Sequence, residues 1–200
     1  MTTAGHAVAE EPAGSAGKSP LLLVAIIVLL LLALAGTGYA LWGRTEHSQN
    51  GVAGVQGLKP GTPTILSMSQ LESFAAAEGP VYWAGPRKGT NYEVTVTTAG
   101  AVYVRYLPEG VRAGSKNDYL TIGTYNAIDG YDALAAASSK DATVELSRTG
   151  AVIATFHSAP DSTYFAFPKA DFQVEVFSPV AGQALELTES SAIGLVPGRS

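Results

Sequence analysis

From Leu21 to Trp42 the chain runs for 22 residues without one Asp, Glu, Lys, Arg or His. As a helix at about 1.5 Å per residue this run reaches about 33 Å, enough to cross a bilayer core of about 30 Å. A cleaved secretory signal is the competing reading. Its apolar core is only about 7 to 15 residues and ends at a small-residue cleavage site. Here the run is longer, and Tyr39, Leu41 and Trp42 stand where small residues would be needed. The sequence therefore predicts a transmembrane signal anchor over residues 20–42, with a tail on one side and everything foldable on the other.

Orientation follows from the simplest signal-anchor layout, a short inner tail and one outer domain, because the flanking cations nearly balance. Lys18 precedes the run; Arg44 and Lys59 follow it. This places the C-terminal part outside, on a single-pass protein of the cell membrane. Gly36 with Ala40, and Ala33 with Thr37, share a four-residue spacing that lets helices approach closely, so an oligomer would form through Gly36 and Ala40.

Residues 1–19 hold too few large apolar side chains to offset the entropy of ordering them and read as a disordered cytoplasmic tail. Residues 43–64 are rich in Gly with no periodicity, which makes them a flexible tether with a reach on the order of 25 Å. Residues 65–197 are left as one extracytoplasmic domain. The chain has no Cys, so thiolate nucleophiles, thiolate metal sites and disulfides are excluded. From Thr62 onward there are nine Lys and Arg against fourteen Asp and Glu. An acidic domain without a basic stripe argues against nucleic acid or anionic lipid as the main partner.

Local patterns predict an α+β domain: a mainly antiparallel sheet with two or three short helices. Ser69 with Glu72 reads as a capping box opening a helix whose inner face is Leu71, Phe74 and Ala75, stopped by Gly79-Pro80. "VYWA", between prolines, reads as a short edge strand with Trp83 in the core and Tyr82 exposed. Over Tyr92 to Leu107, a three-residue turn Thr98-Ala99-Gly100 sets Tyr92, Val94 and Val96 opposite Tyr106, Val104 and Val102, and Glu93 opposite Arg105. A second hairpin turns at Arg148-Thr149-Gly150, with Val144 and Leu146 facing Ala154 and Val152, and Thr143, Glu145, Ile153 and Thr155 outward. "TAGAV" and "RTGAV" fit an internally duplicated helix-plus-hairpin unit. Further strands are expected at Tyr119–Tyr125, Tyr164–Phe167, Phe172–Phe177 and in "AIGLVP". Helices are expected from Asp129 or Gly130, and from about Val180 to Ser190 after the Ser178-Pro179 start signal.

No catalytic, metal-binding or cofactor-binding set assembles from the sequence. His157 lies in "HSAPDS", read as a loop, where neighbouring Ser158, Asp161 and Ser162 do not by themselves make a triad. Asp118, Asp129 and Asp132 lack a Ca²⁺-loop pattern, and Asp129 reads as a helix cap. The candidate interaction surface is Tyr82, Arg87, Lys88, Tyr103 and Arg105. Arg87 and Lys88, with Arg112 and Lys116, would form a basic rim if two loops meet. Arg105 is expected to spend its charge on Glu93 across the strands, worth about 0.2–1 kcal/mol if exposed.

The combination of an Ala/Gly/Val-rich chain, one signal anchor, a Gly-rich tether and a compact domain resembles envelope proteins of high-GC Gram-positive bacteria in composition alone, and carries no residue roles. The expected function is a non-enzymatic binding module of the cell envelope, its partner another envelope protein or ligand. The alternatives are a tethered hydrolase or transferase, or an accessory subunit of a membrane complex.

Overall fold

A computed structural model describes residues 57–137 and 141–198. The tail, the 20–42 run and most of the tether lie outside the described residues, as do the Gly36 and Ala40 contacts expected of an oligomer. No helix among the described residues is long and apolar enough to cross a membrane. The described chain is a mostly antiparallel sheet domain with a few short helices.

In chain order the elements are β1 (Thr64–Leu66), α1 (Met68–Glu78), β2 (Tyr82–Trp83), β3 (Thr90–Val96), β4 (Val102–Pro108), β5 (Thr121–Asn126), α2 (Gly130–Ala135), β6 (Ala142–Leu146), β7 (Val152–Phe156), β8 (Ala159–Ala166), β9 (Phe172–Phe177), α3 (Gln183–Glu189) and β10 (Gly194–Leu195). Eight strands form one sheet in the order β1-β3-β4-β5-β9-β8-β7-β6, and β10 pairs with β2 in a separate ribbon. β1 takes up Thr64, and Leu58 packs against the core, so the folded domain reaches into the stretch read as tether.

Both hairpin registers are those the turn chemistry predicts. Tyr92, Val94 and Val96 pair with Tyr106, Val104 and Val102, and Glu93 pairs with Arg105. Val144 and Leu146 pair with Ala154 and Val152. Gly100 and Gly150 supply the left-handed turn positions, φ 81° and 82°, which a side chain would resist.

Because side chains alternate across a strand, the register divides the sheet into two faces. Val94, Val104, Ile122 and Val176 stand abreast on the front face, covered by Leu71, Phe74 and Ala75 of α1, by Ala184 of α3 and by the β2–β10 ribbon. The back face carries Tyr125, Val152, Ala154, Phe156 and Tyr164, covered by Leu134 and Ala137 of the α2 segment. Ile153, expected outward, is therefore buried at 6% exposure: the sheet is packed on both sides here, so it has no outward face. Leu146, expected inward, is 71% exposed, since β6 is the edge strand and its last residue runs past its cover. The two hairpins are alike in turn and register, but α1 and α2 pack on opposite faces.

Helix starts depart from the expected positions. The cap of α1 is Ser67, not Ser69; its side chain accepts from the Gln70 N–H while Gln70 returns a bond to the Ser67 N–H. The same capping-box spacing occurs two residues earlier, and the earlier one starts the helix. Asp129 holds the N-cap position of α2 at φ 60° but makes no side-chain cap bond. Ser178 organises a turn, accepting from Val180 N–H at 3.1 Å and donating to Gln183 Oε1 at 2.7 Å, and α3 begins only after Gly182. In "HSAPDS", β8 already begins at Ala159, so Asp161 and Ser162 are strand residues.

"VYWAGP" is core throughout. Trp83 is 5% exposed, as expected of a wedge, but Tyr82 is only 6% exposed. Its ring meets Phe165 and Phe172 at 5.6 and 5.4 Å, because the β2–β10 ribbon lies over the sheet and not at its edge, so both sides of the short strand are covered. Trp83, Tyr92 and Tyr106 stack edge to face in sequence. Phe74, fully buried under α1, ties the helix to this cluster's core. Phe74→Ala is expected to cost about 3–5 kcal/mol, read by denaturant unfolding of the full chain with Trp83 emission as probe.

Candidate functional site

The site grows from two polar residues that alternation forces onto the back of the first hairpin, Glu93 and Arg105. Glu93 is fully buried and Arg105 is 8% exposed. Arg105 Nη1 donates to Glu93 Oε1 at 2.6 Å, and Nη2 donates to the carbonyls of Ser115 and Asn117 at 3.0 and 2.9 Å. Glu93 Oε2 accepts the Gly114 N–H at 2.5 Å, and the Tyr119 ring lies 5.5 Å from the guanidinium carbon. The pair thus holds down the β4–β5 loop, residues 109–120, as a lid over itself. It is a structural staple, not the exposed pair expected, and Arg105 leaves the candidate surface because its charge and donors are engaged inside.

The staple fixes where the lid's own cations go. Glu109 N–H donates to the Gly89 carbonyl at 3.1 Å, joining the 109–120 loop to the 85–89 loop. Lys88, Arg112 and Lys116 are exposed on these joined loops. Arg87 is half-buried, its guanidinium 5.4 Å from the Tyr106 ring centroid and its backbone N–H donating to the Tyr92 hydroxyl at 3.0 Å. Tyr106 closes the corner, accepting the Ala84 N–H at 2.6 Å and donating to the Gly85 carbonyl at 3.1 Å. Burial raises the Tyr106 hydroxyl well above its usual range, against the lowering effect of the Ala84 bond, so it stays a neutral donor. The four cations named from the sequence therefore belong to two loops that do meet.

A second buried polar group had no sequence signal. Glu175 of β9, 9% exposed, accepts from Ser162 at 2.8 Å, from Tyr164 at 3.1 Å and from Tyr125 in a short hydrogen bond. Among the described residues no Lys, Arg or His pairs with it. Three hydroxyl donors take the place of a cation. Gly123 stands opposite Glu175, and a Cβ there would lie 2.9 Å from the Tyr125 ring; the missing side chain is the space through which Tyr125 reaches the carboxylate. Nothing in "FQVEVF" singles out Glu175, and only the β5–β9–β8 pairing brings its donors together. Tyr103, half-buried, packs edge to face on Tyr125 at 5.6 Å and belongs to this network, not to the basic corner.

Of the named surface, then, Tyr82 and Arg105 are interior, Tyr103 borders the Glu175 network, and Arg87 and Lys88 stay together at a loop corner. His157 and Ser158 form the tight, exposed β7–β8 turn. Ser158 Oγ donates to the Asp141 carboxylate at 2.8 Å, and the His157 backbone N–H donates to the Asp141 carbonyl at the same distance. Among the described residues no three His, Asp or Glu side chains are gathered as for a metal, and Asp118, Asp129 and Asp132 do not converge. Compared with family models, curated proteins and solved structures, the chain matches none.

Two outcomes follow. Arg105→Met leaves Glu93 buried without its cation and should destabilise the domain by about 3–5 kcal/mol, whereas Glu93→Leu with Arg105→Met should recover most of that loss; denaturant unfolding of the parent chain and the two variants measures it. The second concerns alkali. Burial, then the nearby Glu175 charge, raises Tyr125 and Tyr164 well above the usual value of 10.0. An unfolded chain would release these protons first, so this part of the stability is complete below about pH 10 and is lost as pH rises toward the folded values. Alkaline unfolding should coincide with tyrosinate absorbance, and Tyr164→Phe should make its pH dependence shallower by about one proton.

Proposed function

We propose that the chain is a membrane-anchored, non-enzymatic binding module of the bacterial cell envelope, presenting the basic loop corner to an anionic partner outside the membrane. The observation that carries this reading is the joining of the 85–89 and 109–120 loops, which sets Arg87, Lys88, Arg112 and Lys116 at one end of an otherwise acidic domain. The chain enters the sheet at the opposite end, where Gly61 N–H donates to the Val96 carbonyl at 2.8 Å. The seven residues of β3 separate the two ends by about 20 Å. With residues 20–42 in a bilayer and the tether outside, the corner lies on the side of the domain away from where the chain leaves the anchor. The partner fitted by this charge is an acidic envelope protein or an anionic envelope ligand.

The support is electrostatic and topological. Four cations against the exposed Glu109 and Asp118 of the same loops give the corner a net positive charge, which favours association with anions and makes it salt-dependent. The buried staple keeps the loops in place without using any of the four corner cations.

Cross-linking from a photoreactive residue at Lys116 of the full chain in native membranes tests the proposal. Capture of a specific partner is expected, weakened by salt and weakened about tenfold or more when Arg87, Lys88 and Arg112 become Gln, since exposed charges each contribute modestly and together. Capture unaffected by both salt and the substitutions would refute the basic corner as the binding end.

A further inference from the structure

The sheet ends on β6, whose outer side no described strand pairs. The strand at the opposite end, β1, has three residues, whereas β6 has five. Sheet edges are commonly protected by Pro, Lys or a bulge. β6 has none of these, and it pairs with β7 without a register shift. We propose that β6 is a self-association edge, pairing antiparallel with β6 of a second copy of this chain so that two eight-stranded sheets join edge to edge. This goes beyond the basic corner, which lies in the other half of the sheet, and rests on different residues.

The bonds to β7 show which backbone groups are directed outward. The Asp141 carbonyl accepts the His157 N–H, and the Ser147 N–H donates to the Ala151 carbonyl, both at 2.8 Å. Bonded positions alternate along an antiparallel ladder. Odd-numbered residues therefore spend their backbone groups on β7, while Ala142, Val144 and Leu146 direct theirs to the free edge. A second copy related by a two-fold axis perpendicular to the sheet engages all of them. Val144 bonds to its own counterpart, and Ala142 and Leu146 of one copy bond to Leu146 and Ala142 of the other. In that arrangement each side chain keeps its face, so the two back faces run on continuously.

The side chains specify the occupant and one register. On the back face Leu146, 71% exposed, comes opposite Ala142, a small residue already buried in its own copy's back core. The exposed apolar end of one strand thus meets the small, covered end of the other. On the front face Glu145 comes opposite Thr143, whose hydroxyl can donate to it. Past the strand ends, Asp141 comes opposite Ser147, beside the turn cation Arg148. Sliding one copy by two residues puts Glu145 against Glu145 in one direction and against Asp141 in the other, and like charges directly opposite destabilise a pair. Further slips shorten the overlap. The strand is therefore complementary to itself in its full-length register, as a two-fold interface requires.

The chain has no Cys, so introduced thiols report alone. Full-length chains carrying Thr143→Cys and Glu145→Cys, each with its own tag, are mixed and oxidised; both positions are exposed. The register makes them a non-hydrogen-bonded pair with Cα atoms about 4.5 Å apart, within disulfide reach. Each meets its own counterpart only diagonally, at about 7–8 Å, past the usual Cα limit of about 6.8 Å. The mixed disulfide should exceed either homotypic one by about tenfold or more. Val144→Pro removes an outward N–H while sparing the β7 ladder, and Leu146→Lys sets a charge against the covered Ala142. Each should cut trapping by about tenfold with Trp83 emission unchanged, and Leu146→Lys, at an exposed side chain, reads the loss even where the proline disturbs the strand. Absence of any disulfide, homotypic pairing of the Glu145→Cys chain, equal yields of mixed and homotypic products, or trapping that Leu146→Lys leaves unchanged would overturn the proposal. Partner capture at Lys116 involves none of these residues, so the two readings fail separately.

Discussion

Where a sheet is packed on both faces it has no side on which to leave polar residues in water, and much of this domain follows from how its central strands meet that constraint. Strand alternation puts Glu93, Arg105 and Glu175 on the back face, where α2 and the 109–120 loop cover them. Each buried charge costs several kcal/mol unless paired and hydrogen-bonded. Glu93 and Arg105 answer each other and take their remaining bonds from loop backbone. Glu175, without a cation, draws on three hydroxyls. Among described residues no buried side-chain polar atom lacks a partner.

These solutions differ in what they organise. The Glu93–Arg105 pair reaches outward: its spare donors and acceptor bind loop carbonyls and an amide, so a charge pair inside the sheet determines the path of a surface loop and the place of Arg112 and Lys116. The Glu175 network reaches sideways across β5, β9 and β8, joining strands from the two halves of the chain at the centre of the sheet. Gly123 matters there through absence, since any Cβ would displace the Tyr125 ring from the carboxylate. On the front face most of the corresponding work is apolar; Thr124 accepts the Tyr82 N–H and the Tyr106 hydroxyl ties the 84–85 backbone.

Much of this was legible locally. The hairpin turns carry Gly at the position that needs left-handed backbone, and cross-strand sorting of Val and Tyr against Glu, Thr and Arg selects one register over its neighbours. The inner face of α1 follows from the spacing of Leu71, Phe74 and Ala75. What misled was burial. Tyr82 read as exposed because a short strand between prolines suggests an edge, and Arg105 read as a weak surface pair because its register partner was known but its lid was not. Ile153 read as outward because one covered face was assumed. None of these errors concerns secondary structure; each concerns what lies on top of a strand.

The sequence by itself determined the local geometry: turn types, hairpin registers and the inner face of α1. These depend on neighbours within a few residues, through backbone conformation and periodicity. Only the tertiary structure decided which face each helix covers, that β5 meets β9, and that the 85–89 and 109–120 loops join. Those features pair residues tens of positions apart, and alternation says only that a side chain has a face, not what is waiting on it.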